Sequence, residues 1–459
     1  MIGRLAFRSL TAHPVRSAVL AAGFGVGVAV MAILLGVAAI VLEQAQSPAL
    51  VGGGDVNIRL SLAVPARIVL SGTLQSDALR PRVRAAAASH TTDLFLLHNG
   101  KATRVAARGG IPSVERELGD PEVTGMEAWR DTREDSEWTR QSPETVLRQI
   151  DRFHGTPDVP EWSDSWAEWL YFNGRSNEAR FYLTFMTGPR TKSGKRAAGV
   201  RLQLERNGQM RSYSANAEAT DAELANAPDL TIGNSSVRLD GLVYRIHLDL
   251  TDSSGKRAVG DLTLQASAGR LVPPIEITGA RGWRTGYVVP VMSGAIDGSL
   301  TLANEQVSLA GGTGYHDHNW GFWKGVSWQW GQAQQGDLSV IYGRVFPPPE
   351  AADPERIPGF VGALGPDGPL GYSTDVRITE TNDDKGQPQT IAVRARSNSL
   401  SLDLRFDVAS MVTTRMQGAL ANGVDFIQMR GQYTVSGEAG TRKISFAASG
   451  AAETFRGDQ

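Results

Sequence analysis

The segment 311–332, GGTGYHDHNWGFWKGVSWQWGQ, concentrates ionisable and aromatic side chains. It holds two histidines, an aspartate and an asparagine, together with four of the ten tryptophans of the chain. A solvated loop has no use for four tryptophans, and a core strand does not tolerate an aspartate beside two histidines unless these groups have partners. We therefore expect a functional site in this segment.

As a β-strand, residues 315–320 present two chemically different faces, because successive side chains of a strand point in opposite directions. One face carries Tyr315, Asp317 and Asn319, whose phenol, carboxyl and amide groups are suited to protonating and positioning a ligand. The opposite face carries two imidazoles and an indole, from His316, His318 and Trp320.

The two histidines have two interpretations. Their spacing is found at metal sites, but no other histidine stands at a recognisable ligand spacing, so a metal would need a distant Asp or Glu as a third ligand. Alternatively, His316 and His318 form hydrogen bonds within a polar layer between two barrels, which is the interpretation we favour. We predict no metal and no other cofactor.

Asp317 is the candidate general acid. Burial of a carboxyl in an apolar cavity disfavours its charged form, so the group keeps its proton near neutral pH and can protonate a bound ligand. Aromatic faces stabilise the resulting cation by about 0.5–2 kcal/mol each. The alternative for most of the tryptophans is packing in and between barrel cores. The substrate-binding candidates are His316, His318, Trp320, Trp323, Trp328, Trp330 and Tyr342.

Composition narrows the classes of function. The 459 residues are 41% hydrophobic, which is ample for two or three packed domains. Lys and Arg number 46 against 48 Asp and Glu, so the chain has no excess of positive charge for a nucleic-acid partner. The absence of cysteine excludes disulfides, thiolate metal sites and cysteine nucleophiles.

The N-terminal region predicts a membrane anchor. Residues 17–42 contain no charged side chain and as a helix would span about 39 Å, enough to cross a bilayer. Arg4, Arg8 and Arg16 precede the segment, which places residues 1–16 in the cytoplasm and the bulk of the chain in the periplasm of a bacterium. The alternative is a cleaved signal peptide, although its apolar region would be only about 7–15 residues long.

The exported part is predicted to contain a connecting region and two barrels. Residues 43–150 are assigned to small α and β pieces, with a helix that starts at the N-cap Ser142. Trp162, Trp166 and Trp169 have the spacing of a helical core stripe. Residues 151–324 and 325–459 each have the size of one small barrel.

Strand signals support the two barrels. In LVYRIHLDLTD and LSLDLRFD apolar and polar residues alternate, which is typical of half-buried antiparallel strands. Asn207-Gly208 is a hairpin signal. The Pro- and Gly-rich residues 346–371 are predicted to form a long loop.

The motif GYHDHNWGFW, followed by SWQWGQ and by YGR at 342–344, resembles the carotenoid 1,2-hydratases (hydroxyneurosporene synthases) and their AttH-like relatives. The resemblance covers about residues 151–455. It implies two tandem lipocalin-like antiparallel β-barrels, a cavity for a long apolar substrate, and addition of water to an alkene without a cofactor. It places the catalytic acid at Asp317, with Tyr315 beside it.

The start of the chain, LAFRSLTAHPVRSAVLAAGFGVGVAVMAILLGV, resembles the first membrane helix of MacB/FtsX-class ABC transporter permeases. AttH-like relatives are encoded among ABC-transporter components, so the two resemblances agree. They imply an apolar small molecule, the inner membrane and transporter permease or ATPase subunits as partners.

Two functions are compatible with these features of the sequence. The first is a membrane-anchored hydratase-like enzyme that acts on an isoprenoid- or lipid-like substrate, with Asp317 as the acid and with Tyr315 and Asn319 orienting acid and water. The second is a non-catalytic lipocalin-like protein that binds lipid for an ABC transporter.

Overall fold

The computed structural model describes residues 14–15, 56, 58, 66–75, 79–98, 101–119, 130–135, 141–303, 305–366, 368–415 and 425–456. The chain divides into two compact units, one formed by Met1–Arg59 with Ala85–Ser136 and one by Leu60–Arg84 with Glu137–Gln459. In the first unit, strands β1 (His90–His98) and β2 (Lys101–Gly109) form an antiparallel hairpin, followed by helix α2 (Pro112–Glu117).

The second unit holds the remaining described helices and two large antiparallel sheets. Its helices are α1 (Ala66–Gln75), α3 (Pro143–Ile150) and α4 (Asp221–Leu224). The strands of the first sheet are β3 (Trp166–Arg175), β4 (Arg180–Arg190), β5 (Arg196–Arg206), β6 (Gln209–Ala219), β7 (Leu230–Ile232), β8 (Ser235–Asp240), β9 (Val243–Thr251), β10 (Arg257–Gln265), β11 (Val272–Thr278), β12 (Arg284–Leu302), β13 (Glu305–Ser308) and β14 (Gly312–Phe322).

The second sheet follows directly along the chain, and no strand pairing between the two sheets is found among the described residues. Its strands are β15 (Ser327–Gln335), β16 (Leu338–Phe346), β17 (Phe360–Gly365), β18 (Gly368–Ser373), β19 (Asp375–Asn382), β20 (Pro388–Arg396), β21 (Leu400–Arg415), β22 (Asp425–Ala439) and β23 (Arg442–Arg456).

The predicted fold class, mainly β with two tandem lipocalin-like antiparallel barrels, is confirmed as a mainly β fold with two successive antiparallel sheets, of which the first forms a barrel. The first sheet closes on itself, because β10 pairs with both β9 and β12, and β9 also pairs with β6. The resulting ring runs β3, β4, β5, β6, β9, β10, β12 and β14. In the second sheet the order runs from β18 to β19, with no closing pair among its described strands.

Apolar side chains form three buried layers. One fills the ring of the first sheet, a second consists of residues of the second sheet, and a third combines residues of both sheets. The third layer includes Tyr171 and Tyr315 of the first sheet and Trp330 of the second. Strands β3 and β14 are therefore buried on both faces.

Several local predictions are confirmed. Ser142 caps helix α3 by accepting a hydrogen bond from the Thr145 backbone N–H. The alternating patterns of 243–251 and 400–407 become strands with one buried and one exposed face. Asn207 and Gly208 form the turn between β5 and β6, both with positive φ as a two-residue hairpin loop requires.

Two local predictions are wrong. Trp166 and Trp169 lie on strand β3 instead of a helix, because a strand buried on both faces lacks the polar alternation that would reveal it. The predicted loop 346–371 contains strand β17 and the start of β18, whose small residues pack within the sheet.

Among the described residues no helix has the length and apolar character needed to span a membrane. The predicted membrane segment, 17–42, lies outside the described residues.

Candidate functional site

Strand β14 carries the chemistry predicted for the motif and lies between β12 and β3. As the period of a strand requires, its side chains divide between the interior of the ring and the layer between the two sheets. Tyr315, Asp317 and Asn319 face the second sheet, whereas His316 and His318 face the interior of the ring. The two faces thus form two separate polar groups.

Asp317 is almost fully buried, with 3% of its surface exposed. The Tyr315 hydroxyl donates to its Oδ2 at 2.9 Å, and the Asn319 amide donates to its Oδ1 at 2.7 Å. Burial raises the pKa of Asp317 well above its ordinary value, and these hydrogen bonds offset only part of that rise. Burial thus favours the protonated form of this carboxyl compared with an exposed aspartate.

A chain of hydrogen bonds connects Asp317 to the second sheet. The Trp330 indole nitrogen donates to the Tyr287 hydroxyl at 2.9 Å, and the hydroxyls of Tyr287 and Tyr315 are 2.6 Å apart. Burial raises the pKa of both tyrosines well above 10, so both stay protonated at neutral pH. Side chains of both sheets thereby hold the acid in place.

A cavity of about 360 Å³ lies beside Asp317 between the two sheets. Most of its exposed wall is apolar, and Asp317 and Asn319 are among the polar residues that line it. The aromatic side chains that line it include Trp169, Tyr171 and Tyr287 of the first sheet and Trp328, Phe360 and Phe455 of the second. Such a hollow suits an apolar small molecule with a few polar anchors.

A second buried carboxyl, Glu453 on β23, lines the same cavity. It lies directly opposite Trp330 in the second sheet and accepts a hydrogen bond of 2.8 Å from the Tyr171 hydroxyl. Tyr171 in turn lies directly opposite Asp317 in the first sheet. Burial raises the pKa of Glu453 to about 7, and its charge contributes to the raised pKa of Asp317.

The histidines of β14 belong to a buried ionic network within the ring. His316 Nε2 is 2.9 Å from Asp151 Oδ2, and its ring stacks on Phe172 with 4.0 Å between ring centroids. His318 Nε2 is 2.9 Å from Glu168 Oε1, and its Nδ1 is 3.4 Å from Asp151 Oδ1. Both histidines are hydrogen-bonded, as the favoured interpretation states, but inside the ring and not between the sheets.

This network fixes the charges of its members. Burial alone would lower the pKa of His318, but its contacts with Asp151 and Glu168 raise that pKa to about 9. Burial would raise the pKa of both carboxyls, but the neighbouring histidines lower it. The cluster therefore contains an imidazolium between two carboxylates, which ties the end of helix α3 to strands β3 and β14.

The side chain of His154 also contacts this network. The nitrogen and oxygen atoms of His154, Glu168 and His318 that could bind a metal lie within 4.8 Å of one another. In this arrangement they are hydrogen-bonded, since Glu168 Oε1 lies 2.7 Å from His154 Nδ1 and 2.9 Å from His318 Nε2. Ligands of a tetrahedral zinc ion lie about 3.3 Å apart, because each bond is about 2.0–2.1 Å long. Binding of such an ion would therefore require both distances between Glu168 and the histidines to increase.

The predicted substrate-binding residues divide between the cavity and the cores. Trp323, Trp328 and Trp330 line the cavity. The other four do not line it. Trp320 stacks on His154 with 4.4 Å between ring centroids, and Tyr342 packs in the core of the second sheet. His316 and His318 lie within the ring. A side chain on Gly286 would collide with the indole of Trp320, so glycine there makes room for it.

Sequence reasoning missed Glu453, Tyr171, Tyr287 and the acidic partners of the histidines. Glu453 stands within ASGAAETF, and a lone acid in such an apolar run is a signal for a buried carboxyl. Asp151 and Glu168 carry no comparable signal, because only the fold brings them to β14.

The fold and the site define this chain as a mainly β protein with a buried acid in an apolar cavity between two antiparallel sheets. No family model matches its sequence, and no curated protein matches it.

Solved structures include similar chains. An AttH from Nitrosomonas europaea is 14% identical, with a TM-score of 0.44, and the match covers 63% of this chain and 92% of that one. Kievitone hydratase from Nectria haematococca is 14% identical, with a TM-score of 0.41, over 66% and 96% of the two chains. CghA with Sch210972 is 11% identical, with a TM-score of 0.40, over 70% and 96%. All three TM-scores lie below 0.5, so these likenesses define neither the activity nor the ligand.

Proposed function

We propose that this chain is a hydratase-like enzyme that protonates an alkene of an isoprenoid- or lipid-like substrate from Asp317 and adds water. The observation that carries the proposal is the burial of Asp317 in a mostly apolar cavity, where Tyr315 and Asn319 orient its carboxyl. A neutral carboxylic acid that faces an apolar ligand is the group that protonation of carbon requires.

In the first step the proton of Asp317 is transferred to one alkene carbon, which leaves a carbocation on the other carbon and a carboxylate on Asp317. The indoles of Trp328 and Trp330 line the cavity and stabilise the cation by about 0.5–2 kcal/mol each. The apolar wall keeps competing water away until the ligand is in place.

In the second step a water oxygen forms a bond to the cation and its extra proton passes to the carboxylate of Glu453. Glu453 suits this role because it lines the same cavity and its pKa of about 7 allows it to exist as a base at neutral pH. The substrate has then gained one water molecule. Transfer of a proton from Glu453 to Asp317 through water restores the starting state.

The second candidate function is a non-catalytic lipid-binding accessory protein of an ABC transporter. The same cavity favours it, since an apolar hollow between two sheets holds a lipid whether or not chemistry follows. In both cases the proposal places the chain at the bacterial inner membrane through residues 17–42, with its bulk in the periplasm.

Substitution Asp317→Asn separates the two functions. We expect the enzyme to lose turnover by about 10²–10⁴-fold while it retains ligand, because a positioned acid contributes that much to a rate. The measurement is incorporation of heavy oxygen from labelled water into a membrane-lipid extract, followed by mass spectrometry. Asp403→Asn, on the exposed face of β21, is the matched control. Equal incorporation by the wild type and the Asp317 variant would refute the acid role.

A further inference from the structure

Arg201 lies on the floor of the cavity at a fixed distance from the acid. Asp317, Tyr171, Thr184 and Arg201 are directly opposite one another on β14, β3, β4 and β5, so their side chains share one face. All four line the cavity. The two end strands are separated by three strand spacings, about 14 Å at ~4.8 Å each.

The guanidinium of Arg201 has no acidic partner among the described residues. Among the described residues it forms one hydrogen bond, from Nη2 to Thr414 Oγ1 of the second sheet at 3.3 Å. A guanidinium has five N–H donors. Burial lowers the pKa of Arg201, and no carboxylate offsets this effect. By contrast, Arg344 at the same cavity contacts Glu355 at 3.5 Å.

The other arginines on the strands have partners of two kinds. Arg175 and Arg196 form no ion pair among the described residues but donate to backbone carbonyls, and others are paired with carboxylates. Arg257 pairs with Asp249, Arg394 with Asp403, and Arg430 with Glu205. A half-buried guanidinium that lines an apolar cavity without a counter-ion is unusual, because burying an unpaired charge is unfavourable. Such a group is well suited to pair with a charge that arrives with a ligand.

We propose that Arg201 binds an anionic group of the ligand, so that the ligand is an amphipathic molecule with an apolar body and one acidic end. The placement of its reactive alkene at Asp317 rests on the proposed function, whereas the anion subsite itself does not. The strands that carry Arg201 and Asp317 are three strand spacings apart, or ~14 Å between their backbones, so the ligand has to extend along the cavity between the two side chains.

A carboxylate and a phosphate share the chemistry that Arg201 recognises, since the planar guanidinium donates two parallel hydrogen bonds to either group. Three probes with one hydrocarbon chain separate these sources: farnesoic acid, farnesyl phosphate and the neutral farnesol. Binding is measured on the full chain in detergent by quenching of tryptophan fluorescence, because Trp328 and Trp330 line the cavity.

We expect at least one of the two anionic probes to bind about 10- to 100-fold more tightly than farnesol, the range of one or two charge-assisted hydrogen bonds. Arg201→Met should remove this preference and leave farnesol binding unchanged, and Arg201→Lys should restore part of it. Arg206→Met, on the same strand but salt-bridged to Glu305 and outside the cavity wall, should bind all probes as the wild type does. The tighter of the two anionic probes identifies the acidic group.

If neither anionic probe binds more tightly than farnesol, or if Arg201→Met keeps the preference, the proposal is wrong. Unchanged farnesol binding shows that the Arg201→Met variant is folded. Turnover is measured separately on the wild type. An anion preference without any turnover by the wild type would therefore refute the proposed reaction while supporting the subsite.

Discussion

At the scale of single residues, the burial of the Asp317 carboxyl makes the stability of the fold depend on pH. Its pKa in the folded chain lies above its value in the unfolded chain because burial disfavours the carboxylate. The folded state therefore binds more protons than the unfolded state, so this contribution to stability is complete below the unfolded pKa near ~3.9 and is lost as pH rises.

We predict that Asp317→Asn removes this dependence on pH. The melting temperature of the variant minus that of the wild type should increase from pH 4 to pH 8, by about 2–4 °C for each kcal/mol involved. Differential scanning calorimetry of both proteins measures this difference in melting temperature. Asp403→Asn is the control, because exposed Asp403 is ionised and salt-bridged to Arg396. A difference for Asp317→Asn that is constant across this range would contradict a raised pKa.

Glu453 predicts the pH dependence of turnover. As the proposed base it must be ionised, so kcat/KM should rise as pH increases through about 7. Glu453→Gln should lower turnover by about 10²-fold or more and flatten this limb of the profile. Glu438→Gln, on the exposed face of β22, should leave the profile unchanged.

Tyr171 offers an independent check on Glu453. Its hydrogen bond to Glu453 lowers the pKa of that carboxyl, so Tyr171→Phe should move the rising limb to higher pH. A limb that stays in place in both the Glu453 and the Tyr171 variants would assign it to another group.

At the scale of elements, strand β14 serves two purposes on its two faces. One face presents Asp317 to the cavity, and the other holds His316 and His318 in the ionic network that joins α3 and β3. A shift of one residue in the register of β14 would exchange the two sets. The buried ionic network therefore positions the acid as well as stabilising the ring.

We predict that His318→Gln destabilises the fold by about 3–5 kcal/mol, because it leaves Asp151 and Glu168 without their positive partner. Denaturant unfolding measures the change. In the wild type the contribution of His318 is complete below pH 6.5 and is lost as pH rises through about 9, since its folded pKa is raised. The variant should lack this loss of stability.

The control for His318 is His247→Gln. His247 lies on the exposed face of β9 and contacts Asp261 at the surface, where an ion pair contributes at most ~1 kcal/mol. Equal destabilisation by the two variants would show that the buried network does not hold the ring together.

Sequence periodicity predicted strands with one exposed face, such as β9 and β21. It also predicted that the acid and the histidines of β14 lie on opposite faces. Both predictions follow from residues that are close together in the sequence. Periodicity failed at β3, where burial on both faces removes the alternation. The partners of the site are distant in sequence: Tyr171 meets Glu453, and His316 meets Asp151, only through sheet pairing. Such contacts depend on register and topology, which local patterns do not encode.

At the scale of the whole molecule, both sheets contribute to the cavity, so neither sheet alone provides the proposed site. The acid comes from the first sheet, while Glu453 and Trp330 come from the second. Binding of a ligand therefore depends on the presence of both sheets in one chain.

The proposed membrane anchor gives a prediction at this scale. The full chain should remain with bacterial membranes after alkaline carbonate extraction, because residues 17–42 form an uncharged segment long enough to cross the bilayer. Deletion of 17–42 should release it. Protease added to spheroplasts should digest the part after residue 43. Extraction of the full chain into the carbonate supernatant would contradict anchoring.

The hydrogen-bond chain that ends at Asp317 starts at an indole, and an indole nitrogen donates but never accepts. Tyr287 therefore accepts from Trp330 and shares a hydrogen bond with Tyr315, whose hydroxyl donates to Asp317. The Asn319 amide does the same for the other carboxyl oxygen. Because both carboxyl oxygens of Asp317 already accept hydrogen bonds from these neighbours, the incoming molecule is the group left to receive a proton from the acid.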